Sequence, residues 1–279
     1  MESKTLAITK IILLSLIALL LTTILIILLV RPKSNLNFFK FQSKSELVYE
    51  KDIEEQIKKI KVNTKASSIQ IEKSDSNKVS VKYYGDKNDK DLSLTTDNET
   101  LNITEDTSYF CIGFCSYAEH KIVISLPKEI DYELDLNTAS GDVYLPDARL
   151  SNVKIKTISG DIAAITASNA NLESTSGDIE INEVEKLSAK TISGEISANQ
   201  IKRSCDIKTT SGDVEIVSLE ITNNSKIVTI SGDVDIEINR GSYVKTETIS
   251  GEVSINNNNR YAKSELTIKT TSGDIEVGD

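Results

Sequence analysis

The sequence predicts an all-β protein: a single-stack parallel β-solenoid with short rungs of about 19 residues, preceded by one transmembrane helix. Three observations predict this fold. A Ser-Gly-Asp/Glu tripeptide recurs eight times in the second half of the chain, apolar residues alternate with polar ones on both sides of it, and one long apolar run lies near the amino terminus. Because aromatic residues make up only 5% of the chain, the core is expected to consist of small and branched side chains.

The repeated tripeptide marks predicted turns. Its glycines lie 17 to 22 residues apart and account for eight of the 12 glycines in the chain: Gly141, Gly160, Gly177, Gly194, Gly212, Gly232, Gly251 and Gly273. Glycine tolerates the positive φ of a tight reversal, and the adjacent Ser and Asp side chains bond local backbone groups. Apolar residues recur seven and five positions before the glycines, except at Ser225 and Thr246, and two and four positions after them, which predicts a strand on each side of every turn.

Two further columns accompany the turns. A Thr or Ser stands three residues before every glycine, and we expect these hydroxyls to form a hydrogen-bonded ladder along the stack. Two residues before the glycine, Ile alternates with Thr or Ala, and the pattern leaves open whether these side chains face the core or solvent.

Residues 59–136 carry a looser version of the same pattern. The stretch 61–71 resembles a degenerate rung with Ser68 in place of the glycine. Strand-like runs follow, at residues 79–83, 92–95, 101–104 and 121–126. The predicted organisation is a short tail (1–10), a transmembrane anchor (11–30), a juxtamembrane linker (31–45), irregular amino-terminal rungs with a cap (46–136) and regular repeats (137–279).

The apolar run 11–30 is long enough to cross a bilayer, since 20 helical residues span about 30 Å. Lys10 and Arg31 bracket it, and no small-residue cleavage pattern follows, so an uncleaved anchor is favoured over a cleaved signal peptide or a buried core helix. Orientation stays open. The four bases that follow the run favour a cytoplasmic carboxyl side, whereas the short Lys-bearing amino end is typical of a translocated signal-anchor.

Charge and motif content exclude several classes of function. A net charge of −10 argues against nucleic acid as a partner, and one His with three Cys argues against a structural zinc site. No phosphate-binding, hydrolase or metalloprotease motif is present, so the sequence predicts no enzyme and no cofactor. His120 is expected at a solvent-exposed strand edge. The turn acids could attract Ca²⁺, but bonding to backbone amides is the favoured interpretation.

The cysteines form two groups. Cys111 and Cys115 bracket an apolar tripeptide, and we expect them to form a disulfide if the domain is exported. The alternative is a pair of buried thiols. Cys205 falls on an apolar column and is predicted to be a free core residue.

The degenerate pattern T-x-A-S-S-I-x-I-x, followed by repeated T-x-S-G-D-[IV]-x-[IV], resembles the DUF4097 family, also called the putative adhesin or toastrack domain, over about residues 45–279. Members occur in bacterial envelope proteins, including LiaG-like proteins beside envelope stress systems. The resemblance implies a single-pass cell-membrane protein with an extracytoplasmic solenoid and no catalytic motif. The implied role is a non-catalytic binding or scaffold module for an envelope polymer or membrane protein, with a link to the envelope stress response. The alternative is a bactofilin-like protein that polymerises at the cytoplasmic membrane face.

The carboxyl terminus predicts an open end of the stack. Residues 271–279 form a complete repeat motif that stops without a cap, which favours strand addition by another chain. Asp274, Glu276 and Asp279 would repel their counterparts across a symmetric contact. We therefore expect weak self-association through this rung that strengthens as salt screens the acids; a basic partner at the same end is the alternative.

Overall fold

The computed structural model describes residues 45–85, 92–105, 120–128, 130–145, 150–239, 242–256 and 259–278. The predicted tail, anchor and linker, together with Cys111 and Cys115, lie outside them. The described residues form 20 strands: β1 (Glu46–Ile53), β2 (Lys59–Asn63), β3 (Ser68–Ser74), β4 (Val79–Gly85), β5 (Leu92–Asp97), β6 (Thr100–Glu105), β7 (Lys121–Pro127), β8 (Tyr132–Asn137), β9 (Val143–Tyr144), β10 (Leu150–Lys156), β11 (Ile162–Glu173), β12 (Ile179–Lys190), β13 (Ile196–Lys208), β14 (Val214–Leu219), β15 (Ser225–Val228), β16 (Val234–Ile238), β17 (Tyr243–Glu247), β18 (Val253–Ile255), β19 (Glu265–Lys269) and β20 (Ile275–Gly278). In this part of the chain no helix is long and apolar enough to span a membrane.

The strands line two faces of one core. The first face has the order β5-β6-β2-β8-β10-β11-β12-β13-β15-β19-β17. The second face has the order β1-β4-β7-β3-β9-β11-β12-β13-β14-β16-β20-β18. Each rung places one strand on each face and joins them through a turn, and the long strands β11, β12 and β13 continue across the opposite corner. The predicted all-β architecture of parallel stacked rungs is confirmed.

The core lies between the two faces and is built from the predicted apolar columns. Ile155, Leu172 and Ile207, each five residues before a turn glycine, are completely buried. The core prediction is wrong for Ala164, which lies outside the core while Ile165 takes its place opposite Ile181. The cause is a bulge in β11 at which Ala164 adopts a φ of 61°. The core prediction is also wrong for Val253 in the terminal rung, which is 40% exposed.

The turn glycines form a column that is required by close backbone approach. A Cβ built on any of the eight would lie at most 2.1 Å from a backbone carbonyl oxygen of the neighbouring turn. None of the eight has a left-handed φ, so the expected conformational role of glycine is wrong and the steric one replaces it. The column begins at Ser67, whose carbonyl oxygen faces Gly141. The residue that replaces glycine in the first rung is therefore Ser67, and the prediction of Ser68 was wrong by one position.

The amino-terminal end of the stack is covered by antiparallel strands. β4 pairs antiparallel with both β1 and β7, and β5 pairs antiparallel with β6. The four strand-like runs identified upstream of the repeats correspond to β4, β5, β6 and β7. In the chain these four strands lie between the first rung (β2 and β3) and the second (β8 and β9). In the stack the two rungs pair directly, and the four strands form a cap on the outer side of the first rung.

The carboxyl-terminal end departs from the sequence prediction. β19 pairs with β15 on one side and β17 on the other, and β20 lies between β16 and β18. The last repeat in sequence (β19 and β20) therefore lies between the two repeats that precede it in the chain. The rung at the open end of the stack is formed by β17 and β18. The prediction that residues 271–279 form the open edge is wrong, and Asp274 and Glu276 do not lie at the end of the stack.

Candidate functional site

The turn edge of the stack, which comprises the turns that join the two faces, is held by buried hydroxyls. Each of six Thr or Ser side chains accepts a hydrogen bond of 2.8 to 3.1 Å from the N–H of the glycine three residues later. Several also donate to the glycine carbonyl of the neighbouring turn, as Thr191 does to Gly177 at 3.4 Å. The hydroxyls therefore bridge glycine backbones and do not form the predicted ladder with one another.

A second set of bonds links the turns on their solvent side. The Asp after each glycine accepts a bond from the backbone N–H of the acid in the next rung; Asp178, for example, accepts from Glu195 at 2.8 Å. Five further bonds of this kind join neighbouring turns at 2.7 to 3.0 Å. The interpretation of the turn acids as backbone-bonding groups is thus confirmed for the Asp residues. Glu195 makes no such bond to Asp213 among the described residues.

The residues two positions before each glycine project into solvent, which resolves the orientation that the sequence left open. Ile158, Ile192, Ile230 and Ile249 have exposed fractions of 57%, 46%, 49% and 84%. In spatial order the column alternates strictly: Ala139, Ile158, Thr175, Ile192, Thr210, Ile230, Thr271, Ile249. In chain order two isoleucines are consecutive, so the alternation holds only in the strand order found in the structure. We call this column the Ile/Thr stripe.

A groove of about 360 Å³ runs beside the amino-terminal half of the stripe. Ile158, Thr175 and Ile192 form one side of it. Lys156, Glu173 and Lys190, on the outer surface of the first face, form the other. Lys156 and Glu173 are paired at 2.7 Å, so the groove combines apolar side chains, hydroxyls and charges along a regular spacing of about 4.8 Å per rung.

The two faces carry different charges. Twelve acids and no base lie one and three residues after the turn glycines, and all are exposed, eight in the turns and four on the second face: Asp142, Asp161, Asp178, Glu180, Glu195, Asp213, Glu215, Asp233, Asp235, Glu252, Asp274 and Glu276. The first face carries a column of Lys side chains, several of which are paired with acids on neighbouring strands. No group of three or more His, Cys, Asp or Glu that could hold a metal ion occurs among the described residues.

One buried carboxyl group lies at the amino-terminal end. Glu105, at the end of β6, is 2% exposed and accepts hydrogen bonds from Thr64, from Ser67 at 2.5 Å and from Tyr83 at 2.9 Å. Burial raises the pKa of this carboxyl, but the three hydroxyl donors and nearby His120 outweigh it, and the net pKa is lowered. A carboxylate held ionised by three donors is suited to fastening the cap to the first rung and is a poor proton donor.

His120 was predicted at an exposed strand edge, and this prediction is wrong. The residue is 6% exposed, and its Nδ1 lies 3.9 Å from a Glu105 oxygen. Its ring centroid is 6.0 Å from that of Tyr83. The cluster of Glu105, Tyr83 and His120 could not be found from the sequence, because its members lie on irregular segments without a repeating spacing.

Cys205 is a free, buried thiol on the core column, as predicted. Burial, first among the causes, raises its pKa to about 12, so the thiol is held in its unreactive protonated form. The proposed bridge between Cys111 and Cys115 stays a prediction.

Comparison with known proteins identifies relatives of the whole domain. The profile of the family described as Toastrack DUF4097 matches residues 57–278. A crystal structure described as a putative lipid binding protein from Parabacteroides distasonis has a TM-score of 0.56 at 16% identity, covering 84% of this chain and 97% of its own. Putative adhesins from Parabacteroides distasonis (TM-score 0.52, 13% identity, 84% and 98% covered) and Parabacteroides merdae (0.51, 14%, 84% and 97%) are similar. No curated protein matches the chain.

Proposed function

The chain belongs to the Toastrack DUF4097 family, and from this premise we propose that it is a non-catalytic binding module of the bacterial cell envelope. Its domain is anchored in the membrane by residues 11–30 and lies outside the cytoplasm, where the Ile/Thr stripe binds an extended envelope polysaccharide. The observation that carries this proposal is the stripe itself: four exposed isoleucines in strict alternation along the turn edge.

Exposed apolar residues that form a continuous patch mark interaction sites, whereas single ones do not. Nine large apolar side chains are exposed in the described residues, and four of them belong to the stripe. Isoleucines two rungs apart are separated by about 10 Å. A regular repeat of that length suits a polymer of identical units better than the irregular surface of a globular protein, and the flanking Lys and Thr side chains offer donors for sugar hydroxyls.

Two observations support a non-catalytic role. Glu105, a buried carboxyl, is enclosed by three hydroxyl donors, an arrangement that favours its ionised, structural form. The similar solved structures are described as putative adhesins and a putative lipid binding protein, which are binding roles.

Binding is tested by co-sedimentation of the full chain, in mild detergent, with purified cell-wall sacculi. Replacing Ile158, Ile192 and Ile230 by Ser is expected to lower the bound fraction at least about tenfold, since each lost contact removes about 1 kcal/mol or more of apolar burial. Val217→Ser is the matched control, because Val217 is 47% exposed on β14, away from the turn edge. Unchanged binding by the triple variant contradicts the proposal, as does a stripe-dependent binding to phosphatidylglycerol vesicles in place of sacculi.

Location is tested separately with Val217→Cys. In intact cells a membrane-impermeant maleimide is expected to label this exposed thiol, while the buried Cys205 stays protected. Labelling only after lysis would contradict the extracytoplasmic placement and favour the bactofilin-like alternative.

A further inference from the structure

The groove beside the Ile/Thr stripe carries charges that recur at the same interval as its isoleucines. Lys156, Glu173 and Lys190 are register partners on β10, β11 and β12 and form one wall of the groove. Ile158 and Ile192, on the opposite wall, lie two residues after the two lysines. Both kinds of side chain therefore recur every second rung, an interval of about 10 Å, and the rung between them carries a Glu and a Thr.

The lysines of this wall differ in how their charges are compensated. Lys156 is paired with Glu173 at 2.7 Å. Lys208, the next residue along the column, is paired with Asp206 of its own strand at 3.0 Å. Lys190 is exposed and makes no ion pair among the described residues. A cation without an acid partner in the protein is available to bind an anionic group of a ligand through a charge-assisted hydrogen bond.

The acids of the turns limit how an anionic ligand can lie. Asp161, Asp178 and Glu195 are exposed on the far side of the stripe, each one residue after a turn glycine. Because like charges repel, the anionic groups of a ligand on the stripe would point away from these acids and toward the lysine wall. The wall loses its charge beyond Lys208, where β15 places Val228 in the column.

We propose that the groove binds an acidic glycan with carboxylates on alternate sugars, and that Lys190 is the residue that selects it. This inference rests on the proposed function and names the chemistry of its ligand. The distance between rungs, about 5 Å, is close to the length of one sugar in an extended β-linked chain. Carboxylates on alternate sugars would therefore meet Lys156 and Lys190, whereas carboxylates on every sugar would also place one opposite Glu173. A neutral glycan would leave Lys190 unpaired.

The selection is tested with three oligosaccharides of equal length: hyaluronan, with carboxylates on alternate sugars, oligomannuronate, with one on every sugar, and a chitin oligosaccharide, with none. Their affinities for the full chain are measured by calorimetry in a detergent without sugar groups. Hyaluronan is expected to bind at least about fivefold more tightly than either of the others. Lys190→Gln is expected to remove this preference and to leave the affinity for the chitin oligosaccharide unchanged. Lys226→Gln is the matched control, because Lys226 is exposed on β15 outside the groove.

Glu173→Gln tests the rung between the two lysines. Loss of this acid frees Lys156 for both acidic ligands, but it relieves repulsion only for oligomannuronate. The ratio of the oligomannuronate affinity to the hyaluronan affinity is therefore expected to rise at least about threefold. High salt is expected to weaken the binding of hyaluronan and not that of the chitin oligosaccharide.

The outcomes separate this inference from the proposed function. Equal affinity for all three oligosaccharides, or a preference for hyaluronan that survives Lys190→Gln, overturns the inference; the proposed function stands if binding still depends on the isoleucines. Failure of all three to bind also overturns the inference. The proposed function fails only if the binding of sacculi is, in addition, independent of the isoleucines.

Discussion

The two ends of the stack terminate the same repeat in different ways. At the amino-terminal end the glycine column begins with Ser67, whose hydroxyl donates to Glu105 of the cap. At the other end the terminal turn keeps Gly251, and Val253 beyond it is left partly exposed. A Cβ on each turn glycine would point toward the neighbouring rung on the amino-terminal side of the stack. The first rung has no such neighbour. One end thus changes its residues to meet a cap, and the other keeps the repeat and presents an edge.

The largest effect is expected at the glycine column. Gly194→Ala would place a Cβ 2.0 Å from the backbone oxygen of Gly177, and because two main chains would have to separate, unfolding free energy is expected to fall by at least ~4 kcal/mol. Gly278→Ala is the control, since nothing lies within 4 Å of its added Cβ. Chemical denaturation measures both. A change under ~1 kcal/mol for Gly194→Ala would show that the rungs are less tightly stacked than described.

The Glu105→Gln substitution is expected to weaken the hydrogen bonds between the cap and the first rung. Removing the charge that accepts three hydroxyl bonds is expected to cost ~2 kcal/mol at neutral pH. Because the pKa of Glu105 is lowered below its ordinary value of 4.5 in the folded state, its contribution is present above that value and is lost as pH falls through the folded pKa. The variant's stability should therefore depend less on pH in the acid range. Glu252→Gln, at the open end, should show the same pH dependence of stability as the wild type. An identical loss of stability on acidification in the wild type and in both variants would contradict this role of Glu105.

Two buried tyrosines near the cap differ in the hydrogen bonding of their hydroxyl groups. Tyr132 is 1% exposed, its hydroxyl has no hydrogen-bond partner among the described residues, and burial raises its pKa to about 12. Tyr132→Phe is expected to leave stability unchanged or raise it by up to ~1 kcal/mol, whereas Tyr83→Phe should lose ~1.5 kcal/mol because Tyr83 donates to Glu105. Thermal melts that show the reverse order would contradict the described bonding.

The smallest effect concerns the acid bonds of the turn edge. Glu195→Asp would supply the shorter carboxylate that bonds the next rung elsewhere, and is expected to add ~0.5 kcal/mol. Glu252→Asp should add nothing, because no rung follows it. Equal gains at both positions would mean that the effect does not come from the missing bond to Asp213.

Most of the fold was predictable because the repeat is periodic. Apolar residues at fixed offsets from each glycine predicted the two faces. The features that were missed either break the period or are not distinguished by it. Ala164 lost its core place to a single-residue bulge. The order of the last rungs was missed because every rung has the same apolar columns, so nothing local distinguishes the repeat around Gly251 from that around Gly273.

Only part of the candidate site could be predicted from the sequence. The alternation of Ile and Thr was apparent, but exposure of the column depends on the direction of the turn, which spacing alone does not define. Glu105 and His120 gave no signal, because their partners lie on strands brought together by the cap. Buried polar clusters of this kind depend on tertiary contacts that no local period encodes.

Hydrogen exchange on the full chain tests most directly whether β17–β18 is the uncovered rung. In the structure, the amides of Val253 and Ile255 face the free edge, and β20 is bonded between two neighbours. Residues 275–278 are therefore predicted to exchange as slowly as β16, and Val253 and Ile255 to exchange fast, under conditions that keep the chain monomeric. Fast exchange in residues 275–278 with protection of Val253 and Ile255 would contradict the account. It would show that the rungs stack in the same order as the repeats occur in the sequence.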